Sequence, residues 1–418
     1  MSLTVIKNAS QIVTFLGHKA KKGIAMNDMN IYEDAILVMD DNIIKYVGNQ
    51  ENCPLSLENS FTIDATNKLV MPGLVDSHTH LVFGQDRANE FYQRLNNESY
   101  QEILRQGGGI HQSIENTTNT SKEKLVEQAA DYVEKMIAQG VTTLEAKSGY
   151  SKDFDGEVKQ MEVVSILNKQ FDSMIVSTCL AAHVIPLFYQ DNPQQYIDMI
   201  KEQLIPYVKE HKLASFFDAF LEENAYNEDQ VIDILSAAQQ AGFKTKLHCD
   251  EINDSNGAKI AADLGCISAE HLLVSNHQGI QAMADNDVIA TLLPLTALSL
   301  KKEYAKAREI IDSGCAVALA SDFNPGSCFS YSMPLLMALS VMQMEMSIQE
   351  MICAITINGA AALDLSDKVG TLEEGKVADI VIFDCPSFVH LVYHLGINQV
   401  SQVIKNGKTI YSIEREVA

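Results

Sequence analysis

The chain has 418 residues, 46% of them apolar, with 22 glycines and 9 prolines, the composition of an ordinary globular protein rather than a fibrous or disordered one. Its 55 acidic residues against 31 basic ones give a formal charge of −24, which argues against a nucleic-acid partner because a phosphate backbone needs a basic stripe. No apolar run approaches the ~20 residues of a membrane span, the first residues carry no secretory pattern, and the eight cysteines form no Cys-x-x-Cys and sit in apolar runs. The expected setting is therefore the cytoplasm, with reduced thiols and no membrane partner.

Along the chain, Ala35–Met39 and Ile43–Val47 flank the polar turn Asp40-Asp41-Asn42 and are expected to form a hairpin. The same grammar returns at the far end, in the strand Ala378–Phe383 and a hairpin over 402–411 around Asn406-Gly407. Neither end offers much core alone, so residues 1–70 and 370–418 are expected to combine into one small, β-sandwich-like domain. Between them lie eight short apolar runs: Leu74–Asp76, Val141–Ala146, Ile175–Ala181, Phe216–Leu221, Lys244–Cys249, Ile267–Leu273, Val288–Leu293 and Val317–Ser321. Helix-like segments such as Ser121–Gln139, Gly156–Lys169 and Pro193–Glu210 alternate with them, with apolar positions three and four apart. Strand–helix alternation repeated eight times predicts an α/β fold, a (β/α)8 TIM barrel over residues 71–369. An open doubly wound sheet would want a glycine-rich phosphate loop after its first strand, and the sequence has none.

The chemistry gathers at the ends of these runs. After the first, His78 and His80 alternate in Ser77-His78-Thr79-His80, so both imidazoles share one face of an extended chain and could close on one divalent ion. His248 ends the fifth run, His271 lies in the sixth and Asp322 ends the eighth, and ends of different barrel strands converge on one mouth. His78, His80, His248 and Asp322 would supply three nitrogens and one oxygen with room for water, the pattern of a catalytic rather than a structural site. Asp322 is also a candidate base. His271 is either a fifth ligand or a partner that orients water or substrate. Glu251, three residues after His248, could move a proton to a ring nitrogen, with Asp250 a rival for that role.

Arg87, shortly after the first strand, is a candidate carboxylate clamp or else half of a surface salt bridge. Tyr150 and His183 occupy equivalent places after the second and third strands. The turn Asp322-Phe323-Asn324-Pro325-Gly326-Ser327 offers backbone N–H groups and the Asn324 and Ser327 side chains to a second anionic group. At the end of the fourth strand stand Glu222-Glu223, with no lysine to carry a bridging carbamate; Lys147, near the end of the second, leaves that two-metal option open, and one ion is the expectation.

Pro72-Gly73-Leu74-Val75-Asp76-Ser77-His78-Thr79-His80 resembles the opening motif of the metal-dependent amidohydrolase superfamily. Lys147-Ser148-Gly149-Tyr150, His248-Cys249-Asp250-Glu251 and Ser321-Asp322-Phe323-Asn324-Pro325-Gly326-Ser327 extend the resemblance to the superfamily's imidazolone-ring hydrolases of histidine degradation, over nearly the whole chain. The resemblance implies opening of a cyclic amide that bears a propanoate, in a homodimeric cytoplasmic enzyme with one zinc or iron ion per subunit. It implies His78, His80, His248 and Asp322 as metal ligands, and Arg87, Tyr100, Tyr150, His183 and Glu251 as substrate contacts. Asn324, Gly326 and Ser327 match the turn that holds the product end. Cys249 and Ala146 replace the alanine and valine common in those relatives, and neither change removes a chemical group. A cytosine- or guanine-type deaminase of the same superfamily is the alternative. A barrel that has lost catalysis is more remote, since such a chain would be expected to have lost a ligand.

Overall fold

In the computed structural model, residues 3–96, 98, 108–172, 175–223 and 225–413 are described. Eight strands build a parallel, nearly closed barrel: β1 (Leu74–Asp76), β2 (Val141–Lys147), β3 (Ile175–Ala182), β4 (Phe216–Leu221), β5 (Lys244–Cys249), β6 (Ser268–His271), β7 (Ile289–Leu292) and β8 (Val317–Leu319), each paired with the next. The eight expected runs all become strands. The sixth stops early because His271 and Leu272 take φ of 76° and 59°, turning the chain out of the sheet at the mouth.

Helices between the strands follow their sequence signals. Ser121 caps Lys122–Ile137 by accepting from the Lys124 amide, and Asn227 with Gln230 forms a reciprocal capping box on Glu228–Gln240. The expected helix over 193–210 is instead two α segments, Pro193–Met199 and Ile205–His211, joined by a wider π-type turn at Ile200–Leu204. Pro206 explains the break, since it has no N–H to return to the preceding turn.

The two chain ends meet in one sheet. Leu69–Pro72 pairs antiparallel with Ile380–Phe383, within a six-stranded sheet that also holds Gln11–Thr14, Asn30–Tyr32, Val400–Lys405 and Lys408–Ser412. Asn406 and Gly407 both take positive φ, as the two-residue turn of that last hairpin requires. A four-stranded sheet of Thr4–Lys7, Ala35–Asp40, Ile43–Asn49 and Phe61–Asp64 lies beside it. Ile6, Ile12, Leu37, Val70, Ile380 and Ile404 form the apolar layer between the two sheets. The alternate residues Leu69, Met71, Val381 and Phe383 join the barrel's core, so period-two alternation serves a different neighbour on each face. Gly73 is the joint between this sheet and β1.

Candidate active site

β1 and β8 exchange no ladder of their own. The extended segments just beyond them close the barrel: the Asp322 amide donates to the His78 carbonyl at 3.0 Å, the His80 amide to the Phe323 carbonyl at 2.8 Å, and Thr79 bridges Phe323. Below them Asp76 accepts from the Ser321 amide and hydroxyl at 2.9 and 2.6 Å. The seam of the barrel is therefore made from the residues whose side chains form the site. Asp322 takes φ of 50°, a left-handed conformation uncommon for a non-glycine residue and concentrated at functional sites.

His78 and His80 extend the line of β1, and their Nε2 atoms lie 3.4 and 3.6 Å from Asp322 Oδ1. The other Asp322 oxygen accepts from Thr296 Oγ1 at 2.6 Å. His248 stands at the end of β5 with its ring centroid 4.6 Å from that of His78. His78, His80 and Asp322 offer donor atoms within 4.8 Å of one another, as do His78, His248 and His271. His78 Nδ1 sits 2.6 Å from Glu270 Oε2, and His248 Nδ1 sits 2.9 Å from Asp218 Oδ2. Each ring's Nε2 is buried with no hydrogen-bond partner among the described residues. Rings held by carboxylates at Nδ1 present their Nε2 lone pairs to the mouth, so these residues fit a divalent ion. Burial pulls His248 down to about 4 and His80 well below its ordinary value, which favours the neutral, ligating form. Burial is also the largest single influence on His78, but the Glu270 and Asp322 carboxylates together outweigh it and push His78 up to about 9, so proton and metal compete for that Nε2.

Above the donors lies a cavity of about 400 Å3, counting its opening, lined by Arg87, Ile110, Tyr150, His183, Phe220, Glu251, His271, Asn324 and Ser327 together with His80, His248 and Asp322. It gathers every expected site residue except His78, buried just beneath it, Gly326, at its edge, and Tyr100, which lies outside the described residues. The His183 ring stacks on His80 at 5.0 Å, and burial pulls it down to about 3, so it faces the cavity neutral. Glu251 is raised by burial and lies 3.8 Å from His271 Nδ1. Its loop is held from below by Glu222, which accepts from the Ile252 and Asn253 amides and the Asn253 side chain. The rival Asp250 is committed elsewhere: its oxygens take the Ser255, Gly257 and Ala258 amides and the Ser275 hydroxyl.

Two expectations need correction. The turn after Asp322 does not hold its backbone N–H groups open for an anion, because Asn324 Oδ1 accepts from the Gly326, Ser327 and Cys328 amides. An asparagine two to four residues upstream satisfies such amides locally. Arg87 is not half of a surface salt bridge; its Nη1 pairs at 3.2 Å with Glu90, itself nearly buried, and its guanidinium lies across Gly326, where a Cβ would fall 1.3 Å from Nη2.

The amidohydrolase family model matches residues 69–410. An imidazolonepropionase of Clostridium tetani is 47% identical over 97% of this chain and 98% of its own, and one of Bacteroides fragilis is 44% identical over 99% and 100%. The chain belongs to the imidazolonepropionase branch of the amidohydrolase family. Its fold is shared more widely: a mutant atrazine chlorohydrolase from Arthrobacter aurescens TC1, complexed with zinc and atraton, superposes with a TM-score of 0.72 at 16% identity, covering 99% of this chain and 96% of that one. The chain is thus a metal-dependent hydrolase by family, and its buried histidine–aspartate cluster offers donor atoms close enough together to hold an ion.

Beneath the donors of this imidazolonepropionase-family barrel lies a charged layer of which the sequence reading weighed only Lys147, as a possible carbamate carrier. Glu145, Lys147, Asp218, Lys246 and Glu270 are all buried inside the barrel. Lys147 Nζ lies 2.9, 2.7 and 2.8 Å from Glu145, Asp218 and Glu270, and Lys246 Nζ lies 2.8 Å from Glu145 and 3.4 Å from Glu270. Lys147 Nζ donates to Asp218 Oδ2, and although burial works against its charge, the Asp218, Glu145 and Glu270 carboxylates hold the ammonium charged. Strand parity carried the signal: Glu145 and Lys147, and Lys246 and His248, are pairs two apart, so each pair shares a face.

Proposed function

We propose that the chain hydrolyses 4-imidazolone-5-propanoate to N-formimino-L-glutamate, adding water across the ring amide and breaking its C–N bond. The observation that carries this reading is one cavity with histidine Nε2 donors and Asp322 at its floor and the Arg87 guanidinium on its wall. An ion held by His78, His80, His248 and Asp322 supplies Lewis acidity, lowering the pKa of water and polarising the carbonyl. Arg87 binds the propanoate carboxylate, while Tyr150 and His183 orient the ring over the floor. Asp322 takes a proton from the attacking water, and Glu251 delivers one to the departing ring nitrogen. His271, across from Glu251, orients water or substrate. Asn324 supports the product end through the turn it organises, with Gly326 and Ser327 as its remaining contacts, and Tyr100 is a further contact by resemblance alone.

Resemblance also supports zinc or iron, one ion per subunit, and a homodimer. The cytoplasmic setting accords with the described residues, where no helix is long and apolar enough to cross a membrane. A composite β domain of residues 1–70 and 370–418 and a hydrolase domain of 71–369 complete the reading, supported by the sheet that joins both ends.

The test incubates purified, metal-analysed protein with freshly generated imidazolonepropanoate beside a panel of other cyclic amides and aminopurines. Loss of the ring chromophore without ammonia release is expected for the imidazolone alone. Ammonia released from an aminopurine, or no turnover of the imidazolone by metal-loaded protein, overturns the reading.

A further inference from the structure

Five buried charges inside a barrel are an energetic liability. Each buried ion costs several kcal/mol to desolvate, and apolar residues of similar volume would often serve stability as well or better. The charged layer beneath the donors therefore calls for a reason other than stability, and its geometry offers one.

Lys147, the last residue of β2, reaches three strands at once: its Nζ donates to Asp218 Oδ2 and lies within ion-pair distance of Glu145 Oε2 and Glu270 Oε2. Two of those oxygens do a second job. Asp218 Oδ2 is the atom 2.9 Å from His248 Nδ1, and Glu270 Oε2 is the atom 2.6 Å from His78 Nδ1. A single ammonium thus stands behind two carboxylates, and each carboxylate stands behind a different histidine. The histidines come from β5 and from the segment after β1, on separate parts of the barrel wall. The remaining oxygen of Glu270 is taken up by Lys246 and by Ser268 Oγ, at 2.9 Å for the hydroxyl, so that side chain is pinned from both sides.

We propose that Lys147 is a positioning residue for the metal centre: through Asp218 and Glu270 it sets the orientation of His248 and His78 together and so couples the two ligands. The carboxylates need that support because each strand braces only one oxygen, and the one facing the histidine is left to the ammonium. Asp218 Oδ1 is satisfied by the next backbone amide, of Ala219, which leaves Oδ2 with Lys147 to fix its direction. Without the ammonium, Asp218 and Glu270 repel each other and Glu145 across a dry interior and swing away from the rings. His248 and His78 then lose the carboxylate contact at Nδ1 that aims Nε2 at the mouth. Outer partners of this kind alter metal affinity by ~10–100-fold when removed. Glu145 is the informative contrast: it touches Lys147 and Lys246 yet has no ion pair with a histidine among the described residues.

This inference rests on the metal-dependent reading above, and its test reads metal binding rather than turnover, so failure to hydrolyse any particular substrate leaves it standing or falling separately. The full chain is prepared as wild type, K147Q, E145Q and the pair E145Q/K147Q, which removes one cation and one anion together and protects folding against net charge. Cobalt(II) affinity is measured by competition with a chromophoric chelator, and the visible ligand-field spectrum of the cobalt protein is recorded. Expected is at least a tenfold loss of affinity and an altered spectrum in both K147Q and E145Q/K147Q, with a smaller loss in E145Q. The proposal is overturned if the double variant binds cobalt like wild type with an unchanged spectrum, or if E145Q alone weakens binding as much as K147Q.

Discussion

Asp250 spends both oxygens on the protein itself, on three backbone amides and a serine hydroxyl, whereas Glu251 keeps its carboxyl on the wall of the cavity, raised by burial and facing His271. In the chain the two acids are adjacent and chemically alike, so sequence reading had to leave both as candidates for the proton-moving role. What separates them is a φ of 53° at Asp250, which turns its side chain under the helix Gly257–Asp263 while the next residue faces the mouth. The two substitutions should therefore fail differently. Glu251→Gln removes the proton carrier and keeps the shape, so kcat should fall by ~10²–10⁴ with metal content and melting temperature near wild type. Asp250→Asn should cost on the order of 1–3 kcal/mol of stability through the N–H and O–H donors it can no longer satisfy. Steady-state kinetics, metal analysis and thermal melts on both variants decide the assignment, and a D250N enzyme that folds normally but loses turnover as E251Q should would reverse it.

At the scale of elements, the loop after β2 shows how a strand end is shaped from behind. Gly149 takes φ of +113°, and a Cβ there would come within 2.8 Å of the Leu180 carbonyl and 3.0 Å of His183, so this position admits glycine and brings Tyr150 to the cavity. Under the loop, in the first turns of Phe154–Gln170, the fully buried Glu157 carboxyl is pushed up to about 7 by desolvation, although the nearby Ser148 hydroxyl and Gly149 amide pull it down. Its ordinary value is 4.5. Below that pH the group is neutral in both folded and unfolded chains and contributes no difference. Between 4.5 and about 7 the unfolded chain releases the proton while the folded one keeps it, so stability falls as pH rises through that window. At ~1.4 kcal/mol per pH unit the loss is on the order of 3 kcal/mol. Glu157→Gln does not titrate, so the stability of the variant relative to wild type should rise by about that amount between pH 4.5 and 8; denaturant melts at the two pH values that show no change would reject the assignment.

The same loop marks what was legible in the chain. All eight barrel strands were visible as apolar runs, and His78, His80, His248 and Asp322 could be placed at one mouth, because parallel strands with helical crossovers bring their carboxyl ends together. Glu157 and the charged layer were not legible in this way. A carboxylate on an amphipathic helix reads as solvated, and a lysine inside an apolar strand draws notice only when its partners on other strands are known. The turn after Asp322 was misread for a similar reason, since the sequence shows which amides exist but not which acceptor reaches them first.

For the molecule as a whole, the seam between β1 and β8 is the one barrel junction without a ladder among the described residues, and His78, His80 and Asp322 lie along it. Seven neighbouring strand pairs are joined by ladders, with β4 and β5 matched over six residues from Phe216↔Lys244 to Leu221↔Cys249. The eighth junction has the His78–Asp322 and His80–Phe323 hydrogen bonds, the Thr79 bridge and the Asp76–Ser321 pair. An ion held as proposed by His78 and His80 on one side and Asp322 on the other would tie that junction with ligand bonds. It stabilises the closed barrel over any state that opens there, by mass action on the bound form. Removing metal with a chelator should therefore loosen the seam first, since local opening follows the least-supported contacts. Hydrogen–deuterium exchange should quicken at the His80, Ser321 and Asp322 amides on chelation and recover when the removed metal is restored, while the amides of the β4–β5 ladder stay protected throughout. Uniform deprotection of both regions would mean that the ion stabilises the fold globally, and no change at the seam would mean that it is not bound across it.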